Sequence, residues 1–177
     1  MRNRLVGLIL LLVSAVSLPL LASSALRLSF DQLVLESDRV VEATVTGRSS
    51  AWASDNRRIY TTFTFETHND IAGNGPSKFV VIQPGGRVGR LAQITHGYPN
   101  FKEGDRVILF LEEVVKGYQV IGLSQGVFGF YQDESNDVIH QKLQGLSFPG
   151  NNGWPIVMDR REAFDRIRRV FKERHAP

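Results

Sequence analysis

Along the first fifty residues the spacing of apolar side chains changes twice. Leu5 to Val13 form an unbroken apolar run behind Arg2 and Arg4, and small residues follow at Ala22, Ser23, Ser24 and Ala25. That is the arrangement of a secretory leader cut after Ser24 or Ala25, and the expectation is a leader over 1–25. The competing reading is a retained anchor, since the run to Ala22 reaches the lower length limit of a spanning helix, but Pro19 interrupts it. Ser29-Phe30-Asp31-Gln32 then has the form of a capping box opening a short helix to about Ser37, with Phe30, Leu33 and Val34 on one side. From Arg39 to Thr46 the period becomes two: Val41, Ala43 and Val45 alternate with Glu42, Thr44 and Thr46, a strand with one wet face that Gly47 is expected to end.

Alternation resumes at Ile59 to His68, where Phe63 and Phe65 interleave with Thr62, Thr64 and Glu66, so the polar stretch from Gly47 to Arg58 reads as a long exposed loop between two antiparallel strands. A turn cluster at Ala72 to Pro76 precedes a third strand, Lys78 to Gln83, which Pro84-Gly85-Gly86 stops. Arg87 to Asp105 is irregular, with a short strand at Leu91 to Thr95 and a turn at Lys102 to Asp105. Arg106 to Glu112 is the most apolar strand and is apolar on both faces, which places it at the centre of the fold with both sides covered. Tyr118 to Gly122, Val127 to Tyr131 and Val138 to Leu143 follow at short intervals. Many short strands separated by turns predict a mainly β fold, a small antiparallel OB-like barrel with a short N-terminal helix and an amphipathic C-terminal helix.

That last helix is predicted over 159–174, after a loop from Phe148 to Pro155. Asp159 and Glu162 stand at capping-box spacing, and Ala163, Phe164, Ile167, Val170 and Phe171 share one face. The opposite face carries Arg161, Arg168, Arg169 and Lys172, and Glu162 with Arg166, Asp165 with Arg169 and Arg169 with Glu173 predict a solvated face laced by i,i+4 pairs. The apolar stripe is expected to dock on the strands.

Composition narrows the class. The 177 residues are 42% hydrophobic and 22% charged with no Cys, within the range of one folded domain, here 26–177, and outside that of a disulfide scaffold or a disordered tail. Lack of Cys also forbids a lipoprotein's acylated thiol and suits a bacterial periplasmic or secreted chain held by packing alone. The formal charge of +3 rests partly on Arg2 and Arg4, and the stretch from Asp159 onward holds seven basic and four acidic residues, so the charge is weak evidence for nucleic acid. The aromatics Phe63, Phe65 and Phe110 sit in the core pattern instead of on a basic stacking face.

The order of elements, "SDRVVEATVTG", "IYTTFTFETHNDIAG", "KFVVIQPGG", "GYPNFKEGDRVILFLEE" and "YQVIGLSQGVFGF" before a carboxyl-terminal helix, resembles a group of exported bacterial proteins with the same run of elements. It also resembles the netrin-like domain of the tissue inhibitors of metalloproteinases, roughly over Ser29 to Tyr131. The resemblance implies a netrin-like, OB-type barrel flanked by helices, with binding at its loops. Those inhibitors chelate the protease zinc through an amino-terminal cysteine, and without cysteine that mechanism transfers to no residue here.

Candidate chemistry is sparse. His68, His96, His140 and His175 lack metal-site spacing; His68 and Asp70 share a face only if their strand continues that far. Asp133, Glu134 and Asp137 read as an acceptor-rich hairpin turn, not a calcium loop. Gly85-Gly86-Arg87-Val88-Gly89 has phosphate-loop glycines but no following helix, so it reads as a sharp turn requiring positive φ. Glu112 and Glu113 point to opposite faces of a strand, and no Gly-x-Ser-x-Gly elbow is present. The expectation is no enzyme and no cofactor. The residues to watch are Trp52, Arg57 and Arg58 in the first long loop and Arg87, His96 and Tyr98 in the second, because arginines and large aromatics anchor interfaces. The predicted role is an exported binding module whose loops contact a protein, an envelope component or secreted protease, with no nucleic acid and no membrane insertion once the leader is cut. The alternatives are a metal- or small-molecule-dependent periplasmic enzyme using His68, His96 or His140, and a structural part of a surface assembly.

Overall fold

Two long strands, each of 14 residues, form the spine of the molecule. The structure, a computed structural model, describes residues 23–131, 137–148 and 154–174. Most of the predicted leader, the acidic cluster at Asp133 and Glu134, and His175 therefore lie outside the described residues. In chain order the elements are β1 (Ser23–Ser24), α1 (Phe30–Glu36), β2 (Arg39–Trp52), β3 (Ile59–Ala72), β4 (Lys78–Pro84), the small hairpin β5 (Gly86–Val88) and β6 (Leu91–Gln93), β7 (Arg106–Val114) and β8 (Gly117–Val120). A 3-10 turn (Leu123–Gly126), β9 (Val127–Phe130), β10 (Val138–Gln141), β11 (Leu146–Ser147), β12 (Val157–Asp159) and α2 (Arg160–Arg174) complete it.

Helix α1 begins as its sequence dictates. The Ser29 hydroxyl accepts from the Gln32 amide at 3.2 Å while the Gln32 side chain accepts from the Ser29 amide at 2.8 Å, so two otherwise unpaired donors are satisfied reciprocally. Asp159 caps α2 from its own side, its carboxylate accepting from the amides of Arg161 and Glu162 at 2.8 and 3.0 Å. Just ahead of α1, the buried Gln125 side chain grips the incoming chain at two points, donating to the Leu26 carbonyl and accepting from the Leu28 amide.

Strand order in the main sheet is β12-β10-β9-β7-β2-β3-β4-β8, and β8 pairs again with β7. Strands β7, β2, β3, β4 and β8 thus form a ring of five, closed between β4 and β8 by the single bridge Val81↔Tyr118. The predicted barrel is met to that extent only.

β7 has both faces covered, as its alternation requires. Val107, Leu109 and Leu111 pack inside the ring with Val41, Val45, Phe63, Phe65 and Phe79. Ile108 and Phe110 pack on the other side with Phe30, Leu33 and Val34 of α1 and Ala163, Phe164 and Ile167 of α2. The chain therefore has two cores that share β2, β3, β7 and β9, and α2 docks by its predicted stripe, with Val170 and Phe171 partly buried beside it.

The two cores are each pinned by a buried charge. Glu42, 1% exposed on the helix side of β2, accepts from Arg106 of β7 at 2.7 Å and from Arg160 at the start of α2 at 2.8 Å. Arg39 opens β2 on the ring side, 1% exposed, with its guanidinium over the rings of Phe79 and Tyr118, donating to Asp70 at 2.6 Å and to Thr67 and the Pro76 carbonyl.

Several sequence expectations need correction. Gly47 does not end β2; the strand runs on to Trp52, and the loop predicted from Gly47 to Arg58 shrinks to the turn between Trp52 and Ile59, closed by the Ala53 amide on the Arg58 carbonyl at 2.7 Å. β3 likewise runs past His68 to Ala72, whereas β10 stops at Gln141. The i,i+4 pairs predicted on α2 give way to partners in other elements or at i,i+3: Arg166 meets Asp31 of α1 at 2.7 Å, Arg174 meets Asp38 at 3.6 Å, and Arg168 meets Asp165 at 3.5 Å. Arg166 donates to both Asp31 oxygens, a fork that only a planar guanidinium makes, and this holds the Asp31 carboxyl below its usual range.

Candidate functional site

Pairing between β2 and β3 shifts register between Val45 and Gly47: Val45 faces Phe65, Gly47 faces Thr64 and Arg48 faces Phe63. One extra residue on one strand is a bulge, and beyond it the inward set changes parity. Val41, Ala43 and Val45 point into the ring before the bulge; Arg48 and Ser50 take up that side after it, with the Arg48 guanidinium 5.5 Å above the Phe63 ring. The bulge therefore puts a cation and a hydroxyl where a regular strand would have put Gly47 and Ser49. This is the mouth of the ring, at the far end of β2 from Arg39.

The β5–β6 hairpin folds across that mouth. Thr61, buried, donates to the Gly85 carbonyl at 2.7 Å, so the Ser50 hydroxyl, 2.9 Å away, is the donor to Thr61. Gly86 sits at φ +136, and a Cβ there would stand 2.6 Å from Ser50 Oγ and closer still to Thr61 Oγ1, so the hairpin can lie this low only on glycine. Gly85 and Gly89 also have positive φ, as the sharp-turn reading of this glycine run requires. The Ile59 amide donates to Gln93 Oε1, and Gln83 donates to the Pro99 carbonyl, tying the hairpin and the Tyr98–Asn100 segment to the strand ends. Between them is a hollow of about 370 Å³ lined by Arg48, Thr61, Gln83, Arg87, Thr95 and Tyr98, among others.

Charge is lopsided here. The segments 47–62 and 84–98 contain Arg48, Arg57, Arg58, Arg87 and Arg90 against one acid, Asp55. Asp55 is engaged by the Arg57 amide, and among the described residues none of the five arginines forms an ion pair. Exposed apolar side chains stand among them: Leu91 at 61%, Ile94 at 81% and Trp52 at 38%. Tyr98 is half-buried, and burial, helped by Tyr60 nearby, pushes its hydroxyl above the usual phenol range, so it remains a donor at neutral pH.

Of the residues singled out in the sequence, Arg87 and Tyr98 meet in the hollow. Arg57 and Arg58 sit exposed on the tip of the β2–β3 turn, and Trp52 lies at the end of β2, lining a neighbouring depression with Tyr60, Ile82 and Lys116. His96 is exposed on the same loop but does not line the hollow. Sequence reasoning passed over Arg48, Thr61, Arg90, Leu91 and Ile94. A strand read through Gly47 with one slipped residue would have found Arg48; nothing local marks the others.

The histidines stay apart. His68 shares a hydrogen bond with Thr44 at 2.7 Å, Asp70 is taken by Arg39, and His140 packs at a tilt against Tyr131 with ring centroids 4.7 Å apart. Among the described residues no three His, Asp or Glu side chains converge as metal ligands. Also among them, no helix is long and apolar enough to cross a membrane. No protein-family model, curated protein or solved structure matches the chain.

Proposed function

We propose that the protein is an exported, non-enzymatic binding module that engages an acidic surface of a protein partner through the open end of its strand ring. The observation that carries this reading is the grouping of five arginines, free of ion pairs among the described residues, with exposed Leu91, Ile94 and Trp52 on the β2–β3 turn and the β5–β6 hairpin and its flanks, Arg48, Arg87 and Ile94 among them lining the hollow. Arginine and aromatic side chains are the residue types that dominate interface energetics, and a surface of one sign selects partners of the other. The titratable groups lining the hollow are guanidiniums and a phenol that holds its proton, which suits recognition better than proton transfer. The five-strand ring with helices on one side supports an OB-like, netrin-like reading of the fold, and in small barrels ligands sit at the mouth.

The test is capture from periplasmic extract by the wild-type chain and by a variant with Arg57, Arg58 and Arg90 changed to Ser. These three are exposed, so the variant folds as the parent does. A partner retained by the wild type at low salt, lost from the variant and weakened in 0.5 M salt supports the reading. Equal capture by both chains refutes it.

A further inference from the structure

We infer that the hollow between Arg48 and Arg87 is an oxyanion site, taking one carboxylate or phosphoryl group of the ligand. The inference rests on the binding-module reading and sharpens it by naming the group that is recognised. Arg48 reaches the mouth from the strand wall and Arg87 from the hairpin that covers it, so the two cations approach the same space from different elements. Both also border a second depression with Ser49 and Ser50. Neither guanidinium has a carboxylate within ion-pair distance among the described residues, whereas the arginines turned toward the two cores, Arg39, Arg106, Arg160 and Arg166, each have one. The charge of both guanidiniums is thus left without a carboxylate partner at a place where two elements bring them to one hollow.

The donor arithmetic points the same way. Ser50 donates its hydroxyl proton to Thr61 and Thr61 donates to the Gly85 carbonyl, while the Gln83 side-chain amide gives one proton to the Pro99 carbonyl and keeps its Oε1 buried without a partner. The donors that line the hollow include the two guanidinium forks, the Tyr98 hydroxyl, and the side chains of Gln93, Thr95 and Asn100. A cavity lined by two planar cations and no carboxylate fits an anionic ligand group, and the guanidinium fork matches the geometry of carboxylate and phosphate oxygens. The hollow's 370 Å³ is at the small end of ligand sites, enough for one such group and its immediate substituent.

Chemical-shift titration of the isotopically labelled chain at low ionic strength tests this, with inorganic phosphate and with N-acetylglycine as separate probes and chloride as the control. The expected result is saturable change centred on Arg48 to Ser50, Gly85 to Arg87 and Tyr98 to Asn100, with a Kd on the order of 1 mM for an isolated group. Arg87→Gln, an exposed change, should weaken binding at least about tenfold, the loss of one charge-assisted fork. Arg48→Lys, which keeps the charge but not the fork, should weaken it by a smaller factor, and Arg161→Gln on α2 should leave it unchanged. Tighter binding of phosphate assigns a phosphoryl ligand, and tighter binding of N-acetylglycine a carboxylate one. No saturable shift with either probe, shifts scattered over α2, or an unaltered Arg87→Gln would overturn the inference. Should that happen while partner capture still depends on Arg57, Arg58 and Arg90, the oxyanion site falls and the binding-module reading stands.

Discussion

Arg39 and Asp70 show how much depends on which member of an ion pair is buried. Arg39 is 1% exposed and Asp70 is 27% exposed, so removing the acid strands a desolvated guanidinium, whereas removing the arginine leaves a carboxylate that water can reach. Asp70→Asn should cost about 3 kcal/mol in urea unfolding, and Arg39→Met distinctly less. Gly75 reports on the same pocket, because a Cβ there would lie 2.6 Å from the Arg39 Nη1 atom; Gly75→Ala should destabilise by about 1–3 kcal/mol. None of this was legible in the sequence. An arginine at the head of an alternating strand reads as a solvated end, and its acid lies 31 residues away across a bulged pair of strands.

His140 gives the residue scale its pH dependence. Burial, with Lys142 nearby, lowers its pKa from the usual 6.5, and its Nδ1 is buried without a partner. The unfolded chain therefore binds the proton more readily than the folded one, so this contribution to stability is full above pH 6.5 and is lost as the pH falls below it. Urea midpoints measured from pH 7.5 to 5 should decline in the wild type and decline less in His140→Phe. Asp31, held low by Arg166, acts in the same direction but only below the ordinary carboxylate value of 3.8, so the two windows separate.

Elements show where pattern reading works and where it stops. The alternation of Val107 to Leu111 announced a strand covered on both sides, and the structure places those residues in two different cores. The Ser29–Gln32 capping box, the Asp159 cap and the α2 stripe were equally direct, because each depends on neighbours within one turn of helix. Gly47 misled because a bulge and a strand end look alike locally: one extra residue interrupts the alternation in either case. A Cβ at Gly47 would meet Thr64 at an ordinary 3.7 Å, so glycine is not required there and the signal was weaker than it looked. Gly86 is the reverse case. Gly86→Ala should lift the β5–β6 hairpin from Ser50 and Thr61, cost about 1–3 kcal/mol, and speed amide exchange at Gln93 while leaving α2 protected.

Across the whole molecule, α2 is tied to the strands by apolar packing and by the Glu42 clamp. Changing both Arg106 and Arg160 to Met leaves the buried Glu42 carboxylate without a cation and should cost about 3–5 kcal/mol, more than Glu42→Gln, which leaves arginines that are 48% and 31% exposed. Ile167→Ala, on the same interface, should cost about 2–5 kcal/mol. On α2, Asp31, Asp38 and Asp165 answer Arg166, Arg174 and Arg168, and the helix carries acids of its own, whereas the five arginines at the mouth of the ring have one acid, Asp55, among their segments. Arg57, Arg58, Arg87 and Tyr98 were legible there as candidates from residue type alone. That they share one end with Arg48, Leu91 and Ile94 was not, because the hairpin's return over the ring is fixed by side-chain bonds such as Gln93 to Ile59 that no periodicity encodes.

The most direct measurement places a photo-crosslinking side chain at Ile94 beside the mouth and, in a second chain, at Arg168 on the outer face of α2, and compares the partner adducts each forms in periplasm. Recognition at the mouth predicts an adduct from position 94, suppressed when Arg57 and Arg58 are also replaced, and none from position 168. An adduct from position 168 alone would contradict the account.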